Sequence, residues 1–233
     1  MLARFHREAR IGMRMRHPNV TYTIEVVDSP ERALIMELIE GPVLADLLDE
    51  QGALPPEEAV LIGKDLGEAL RYMDSMSLYR IDIKPSNVVL HPTRGAVIVD
   101  LGLARALEEV GRQLTQAGVV IGTPSFMSPE QVLGREADIR SDLYALGALL
   151  YRCVSGRLPH GNASQANIFY TIAHEEVSVD SLPVSSALRN VLRTCLARDP
   201  DLRYQKPQDF LAELAMTPEF RGDTGTQVRP DVG

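Results

Sequence analysis

Tryptophan is absent, lysine occurs only as Lys64, Lys84 and Lys206, and cysteine occurs only as Cys153 and Cys195. Arginine therefore carries most of the positive charge, and no dense Lys/Arg run occurs. With a net charge of −8, that argues against a nucleic-acid-binding surface and against an anchor on an acidic membrane. Both cysteines stand inside apolar helical patterns and read as buried thiols of a reducing compartment. Long apolar runs are also missing. The most apolar stretch, LYALGALLYRCV, is broken by Arg152 and is too short to span a bilayer. The first ten residues, MLARFHREAR, are charged from the fourth onward and lack the apolar segment of a signal peptide. No internal repeat is found. The expectation is a soluble cytoplasmic protein with no membrane span.

What remains is ample for a core. An apolar fraction of 45% over 233 residues is ordinary for a globular protein and suffices for one large core or two small lobes. Ala3 to Arg16 reads as a helix, weakened at Gly12 by about 1 kcal/mol relative to alanine. Pro18 ends it, because proline disfavours helical geometry at the residue before it. Thr21 to Leu38 reads as a hairpin about Asp28-Ser29-Pro30. GPVLADLL offers a short helix. LPPEEAVLIGKDLGEALRYM predicts a strong one, with proline and glutamate in its first turn and Ile62, Leu66, Ala69, Leu70 and Met73 on one face.

Val88 to Leu90 and Ala96 to Val99 read as two short strands around the turn His91 to Gly95. Leu101 to Glu130 shows no sustained period and reads as a long loop, a length that usually marks function or disorder. Leu143 to Val154 is apolar nearly all round, which predicts a buried helix, with Gly156 placed to cap it. Further helices are expected at Ser186 to Ala197 and Pro207 to Ala215. The polar end RGDTGTQVRPDVG carries no pattern, and its Arg-Gly-Asp is read as chance.

The stretch YRIDIKPSNVVL carries the chemistry. An aspartate before a proline is ordinarily a turn residue, so Asp82 alone says little. Order and spacing change that. Asn87 follows Asp82 by five residues, then come the two strands, then Asp100. A hairpin would return Asn87 and Asp100 to the same end of adjacent strands, where two oxygen donors can hold a hard divalent cation. Asp82 stays available to accept a proton from a hydroxyl. Lys84 adds a cation in the same space. Metal, base and cation are the inventory of phosphoryl transfer.

With these residues in hand, the chain resembles the Ser/Thr protein kinase catalytic domain of the bacterial (Hanks) type. IDIKPSNVV resembles its catalytic loop, DLG from Asp100 to Gly102 its DFG motif, and GTPSFMSPEQ, with Thr123 and Glu130, the end of its activation segment. SDLYALG resembles the start of its central helix, RDPDLRY its late arginine motif, HREA its C-helix, and IMELIEG the strand and hinge that hold adenine. One such motif is weak evidence; seven in order, over Arg4 to about Ala215, are specific.

The resemblance implies Asp82 as base and Lys84 as the phosphate contact, with Asn87 and Asp100 on Mg²⁺. It puts Met36, Glu37 and Leu38 at the nucleotide, with Met36 as gatekeeper. Glu8 takes the ion-pairing position of the C-helix, Asp142 braces the catalytic loop, and Arg203 pairs with Glu130. The Lys-Pro in IDIKPSN and Thr123 favour serine or threonine acceptors. A small-molecule phosphotransferase shares the Asp-x4-Asn and the later aspartate but would not be expected to carry GTPSFMSPE and SDLYALG.

Two departures accompany this likeness. The sequence opens at what resembles the C-helix, so the Gly-rich loop and the Ala-x-Lys strand are not among these 233 residues, and none of the three lysines substitutes. Arg80-Ile81-Asp82 stands where the family has His-Arg-Asp, which removes the arginine that pairs with an activation-loop phosphate. The implied fold is α+β and two-lobed: a front remnant over 1–40 (C-helix, two strands, hinge), a mainly helical lobe over 41–216, and a disordered tail over 217–233. The implied activity is transfer of the γ-phosphoryl group of ATP, with Mg²⁺, to protein Ser/Thr hydroxyls, with little or no turnover expected of this chain alone. A protein-binding pseudokinase scaffold is the other reading, and a partner covering the incomplete front lobe is expected in either case.

Overall fold

The computed structural model describes residues 11–27, 33–79, 81–100, 124–161 and 165–222. Two helices organise it. Helix α1, Leu44–Gln51, is short. Helix α2, Pro56–Ser75, starts with proline at its first turn followed by Glu57 and Glu58, where proline costs no hydrogen bond and carboxylates meet the positive end of the helix dipole. Its face of Ile62, Leu66, Ala69, Leu70 and Met73 is buried, as the period predicts.

A hairpin of β3, Val88–His91, and β4, Gly95–Ile98, follows. It is antiparallel, with Val88 opposite Ile98 and His91 opposite Gly95. The expected turn thus tightens, because Gly95 takes φ +76°, a conformation open to glycine. The Asp65 carboxylate of α2 accepts the Ala96 N–H at 2.9 Å and seats the hairpin on the helix.

Helix α3, Pro129–Val132, precedes the central helix α4, Ile139–Ser155. The Asp138 side chain caps α4 by accepting the Arg140 N–H, and Gly156 ends it in the left-handed region at φ 68°. Leu143, Tyr144, Leu146, Leu149 and Leu150 are all buried. Helices α5, Gln165–His174, α6, Ser186–Cys195, and α7, Pro207–Ala215, follow; α5 packs on α3, α6 on α4, and α7 on α2. Residues of α2, α4, α6 and α7 form one continuous apolar core.

The sequence reading assigned no element to α5. Its signal was slight: Ile168 and Ile172, four apart, turn one face onto Val132 in a small separate cluster. The loop expected over 101–130 closes earlier than expected, in a 3-10 turn at Pro124–Phe126 and in α3. The tail boundary also moves. Residues 217–222 are ordered, with Thr217 capping helix α8, Pro218–Arg221. Glu219 of α8 accepts the Ser185 N–H at 2.6 Å and the Ser185 hydroxyl at 2.8 Å, pinning the start of α6.

At the front, residues 11–14 are helical; the earlier part of that expected helix, with Phe5 and Glu8, lies outside the described residues. Strands β1, Thr23–Val27, and β2, Ala33–Met36, pair antiparallel. The stretch before them is knitted to the rear lobe, so the boundary expected at 40 is not clean. Met15 and Val20 belong to the main core. Thr21 N–H donates to the Ile98 carbonyl at 2.9 Å and Ile98 N–H to the Asn19 carbonyl at 3.0 Å. The β1–β2 hairpin and the segment after it are less covered: Ile24, Ile35 and Met36 are exposed, and Leu38 is 85% exposed. Among the described residues no helix is long and apolar enough to cross a membrane.

Candidate active site

Two buried isoleucines, Ile81 and Ile83, flank Asp82 and hold its backbone against the core while its carboxylate points outward. The buried Asp142 carboxylate, in the first turn of α4, accepts the Ile81 N–H at 2.9 Å. A tight turn, Ile83 N–H to Ile81 carbonyl at 2.8 Å, then presents the side chain of Asp82. Pro85–Asn87 forms a 3-10 turn leading into β3.

The side chains converge. Lys84 Nζ donates to Asp82 Oδ2 at 2.5 Å. Asn87 Nδ2 donates to the Asp82 carbonyl at 2.9 Å and to Asp82 Oδ2 at 3.1 Å. With its amide N–H groups turned to Asp82, Asn87 keeps its side-chain oxygen Oδ1 for another ligand; among the described residues a long 3.5 Å contact from Ser86 Oγ reaches it. Val99 N–H donates to the Asn87 backbone carbonyl at 2.9 Å, so the hairpin brings residues 87 and 100 to one end of its two strands. Asp100 is exposed there. Among the described residues no three His, Cys, Asp or Glu side chains cluster as a metal cage. One amide and one carboxylate oxygen instead fit a hard cation that keeps water or phosphate oxygens, the habit of Mg²⁺.

Glu130 and Arg203, 73 residues apart, meet in a buried fork. Arg203 Nη1 donates to Oε1 at 2.7 Å and Nη2 to Oε2 at 2.9 Å, with Arg203 0% and Glu130 7% exposed. Ser141 Oγ adds a hydrogen bond to Oε1 at 2.5 Å. Burial pushes the Glu130 carboxyl up, but the Arg203 fork and Ser141 outweigh it and hold it below its ordinary value of 4.5. Three carbonyls, of Ala197, Arg140 and Arg198, take other donors of Arg203. Its guanidinium also lies 4.8 Å from the Tyr144 ring centre, and the Tyr144 hydroxyl meets His160 Nε2 at 2.8 Å. Burial lowers the pKa of His160, which favours its neutral form.

Glu37 is held rather than open. Arg94 makes two hydrogen bonds to its carboxylate, at 2.9 and 3.2 Å, and donates through Nε to the Pro18 carbonyl at 2.7 Å. Arg94 therefore clamps the segment after β2 to the β3–β4 turn. Sequence reasoning missed it, since an arginine in a turn is ordinarily solvated. Ser141, Tyr144 and His160 were missed for a similar reason: their partners are remote in sequence. Arg80, Gly102 and Thr123 lie outside the described residues, as does Glu8.

A family model of the protein kinase domain matches residues 2–214. The chain belongs to the protein kinase domain family. Its relatives include the serine/threonine-protein kinases PknB of Mycolicibacterium smegmatis, 31% identical over 98% of this chain, and of Mycobacterium tuberculosis, 31% identical over 91%. PknB of Mycobacterium leprae is 32% identical over 91%. The chain spans only 38%, 35% and 35% of those relatives' own lengths. By family this is thus a protein kinase domain, similar to bacterial Ser/Thr protein kinases, with a small front lobe and a helical rear lobe.

Proposed function

We propose that the domain transfers the γ-phosphoryl group of ATP to serine or threonine hydroxyls of a protein. The observation that carries this reading is the convergence of Lys84 and Asn87 on the Asp82 carboxylate at the mouth of the β3–β4 hairpin. Asp82 orients the acceptor hydroxyl and takes its proton. Lys84, beside it, supplies positive charge over the transferred group. Asn87 and Asp100 would hold Mg²⁺, and Mg–ATP bound there supplies the phosphoryl group and neutralises its oxygens. Met36, Glu37 and Leu38 would border the nucleotide, with Glu37 fixed by Arg94. Glu8, Gly102 and Thr123 keep the roles that the resemblance implies.

Titrating a fluorescent ATP analogue, with and without Mg²⁺, into wild type and Asp100→Ala tests the metal assignment. Binding strengthened by Mg²⁺ in wild type alone is the expected result; equal Mg²⁺ dependence in both proteins refutes it. The exposed apolar residues Ile24, Ile35, Met36 and Leu38 favour a second reading, a scaffold that binds a partner protein over its front lobe without catalysis. Partner capture unchanged by Asp82→Asn, with no Mg²⁺-dependent nucleotide binding, would favour it.

A further inference from the structure

The acceptor side of the site has a charge of its own. A cleft of about 500 Å³ opens beside the catalytic turn. Lys84 and Ser86 of that turn line it, together with Phe126, Arg152, Arg157 and Asp49. Three cations there face one carboxylate, in a chain whose net charge is −8.

The three cations differ in how far they are committed. Lys84 is paired with Asp82. Arg152 donates to the carbonyls of Gly52 at 3.0 Å and Leu48 at 3.4 Å, at the end of α1. Its one carboxylate neighbour among the described residues, Asp49, is 3.5 Å away and largely exposed. Those carbonyls fix the position of Arg152 without neutralising it. Arg157 is exposed. Its backbone N–H is taken by Ser155 Oγ at 3.0 Å, while its guanidinium makes no hydrogen bond or ion pair among the described residues. Gly156 and Gly161, at φ 68° and 66°, bound the loop that carries it.

We infer that this cleft selects acceptor peptides bearing an anionic side chain within a few residues of the phosphorylated hydroxyl, and that Arg157 and Arg152 receive it. The inference rests on the kinase reading above, because the cleft is continuous with the turn that carries Asp82. A planar guanidinium held near a second one suits a carboxylate or a phosphate bidentately. A locally positive wall on an acidic protein steers and retains an acidic partner while repelling a basic one.

The test measures peptide binding to the 233-residue chain by fluorescence anisotropy at low salt, so it does not depend on turnover. Serine peptides carry aspartate, alanine, lysine or phosphoserine at positions flanking the acceptor. The aspartate peptide should bind about tenfold tighter than the alanine peptide, the effect of one charge-assisted hydrogen bond. Arg157→Glu, at an exposed position, should abolish that preference, and raised salt should weaken it. A preference confined to the phosphoserine peptide supports the same chemistry and assigns its source to a prior phosphorylation. Equal binding of all peptides overturns the inference, as does an acidic preference that survives Arg157→Glu. If the preference holds but the chain shows no Mg²⁺-dependent nucleotide binding, the kinase reading fails while the cleft assignment stands.

Discussion

The buried carboxylate of Asp142 accepts the N–H of Ile81 at 2.9 Å across 61 residues of sequence. The central helix thereby holds the backbone one residue ahead of Asp82, so the most buried element of the fold positions the most chemically exposed one. Asp142→Ala leaves a buried N–H without that acceptor, and stability should fall by about 1–3 kcal/mol. Asp142→Asn keeps an oxygen and should lose less. Urea unfolding gives the stability; loss of phosphoryl transfer beyond what unfolding explains would mark the positioning role.

Glu130 and Arg203 set an acid limit. The folded carboxyl of Glu130 lies below its ordinary 4.5, so its stabilising contribution is present above about pH 4.5. It is lost as pH falls through the folded value. Arg203→Ala should cost about 3–5 kcal/mol at neutral pH, because a buried carboxylate is left unpaired. That penalty should shrink on acidification, once Glu130 can protonate. Thermal unfolding of both proteins from pH 7 to pH 4 measures it; a pH-independent difference would contradict the assignment.

Helices α4 and α6 touch at Gly147. A Cβ there would lie 2.5 Å from the Cβ of Cys195, and neither helix can yield by rotating a side chain. Gly147→Ala should therefore destabilise by about 1–3 kcal/mol despite alanine's better helix propensity. Gly222→Ala, with open space around it and φ −60°, serves as the control and should stay within about 0.5 kcal/mol.

Hydrogen exchange should divide the chain by cover. A two-stranded hairpin is marginal by itself, and β1–β2 carries exposed Ile24 and Ile35, so its amides should exchange quickly. Leu143 to Val154 should exchange only through global unfolding. Met15 and Val20, in the main core, should follow the slow class although they precede the hairpin. Equal protection of β1–β2 and α4 would show that the front strands stand without a partner.

Periodicity carried most of the fold. The faces of α2 and α4, the glycine cap at Gly156 and the span of α7 are local consequences of spacing, and they were legible. Helix α5 was not, because its core contact is a small satellite cluster around Ile168 and Ile172, too narrow to impose a period. Ordered α8 was hidden because Glu219 owes its burial to Ser185, 34 residues away. At the site, the motif order pointed to Asp82, Lys84, Asn87 and Asp100. Arg94 and the cationic cleft wall were invisible, since both exist only where turns remote in sequence meet.

Single-turnover transfer of radiolabelled phosphate from Mg–ATP to an acidic serine peptide tests the central claim most directly. Wild type, Asp82→Asn and Asp100→Ala are compared after unfolding curves show all three folded. Wild type should incorporate label slowly, and both variants should fall about 100-fold or more below it, the scale of a lost general base or metal ligand. Incorporation by Asp82→Asn at the wild-type rate would contradict the account.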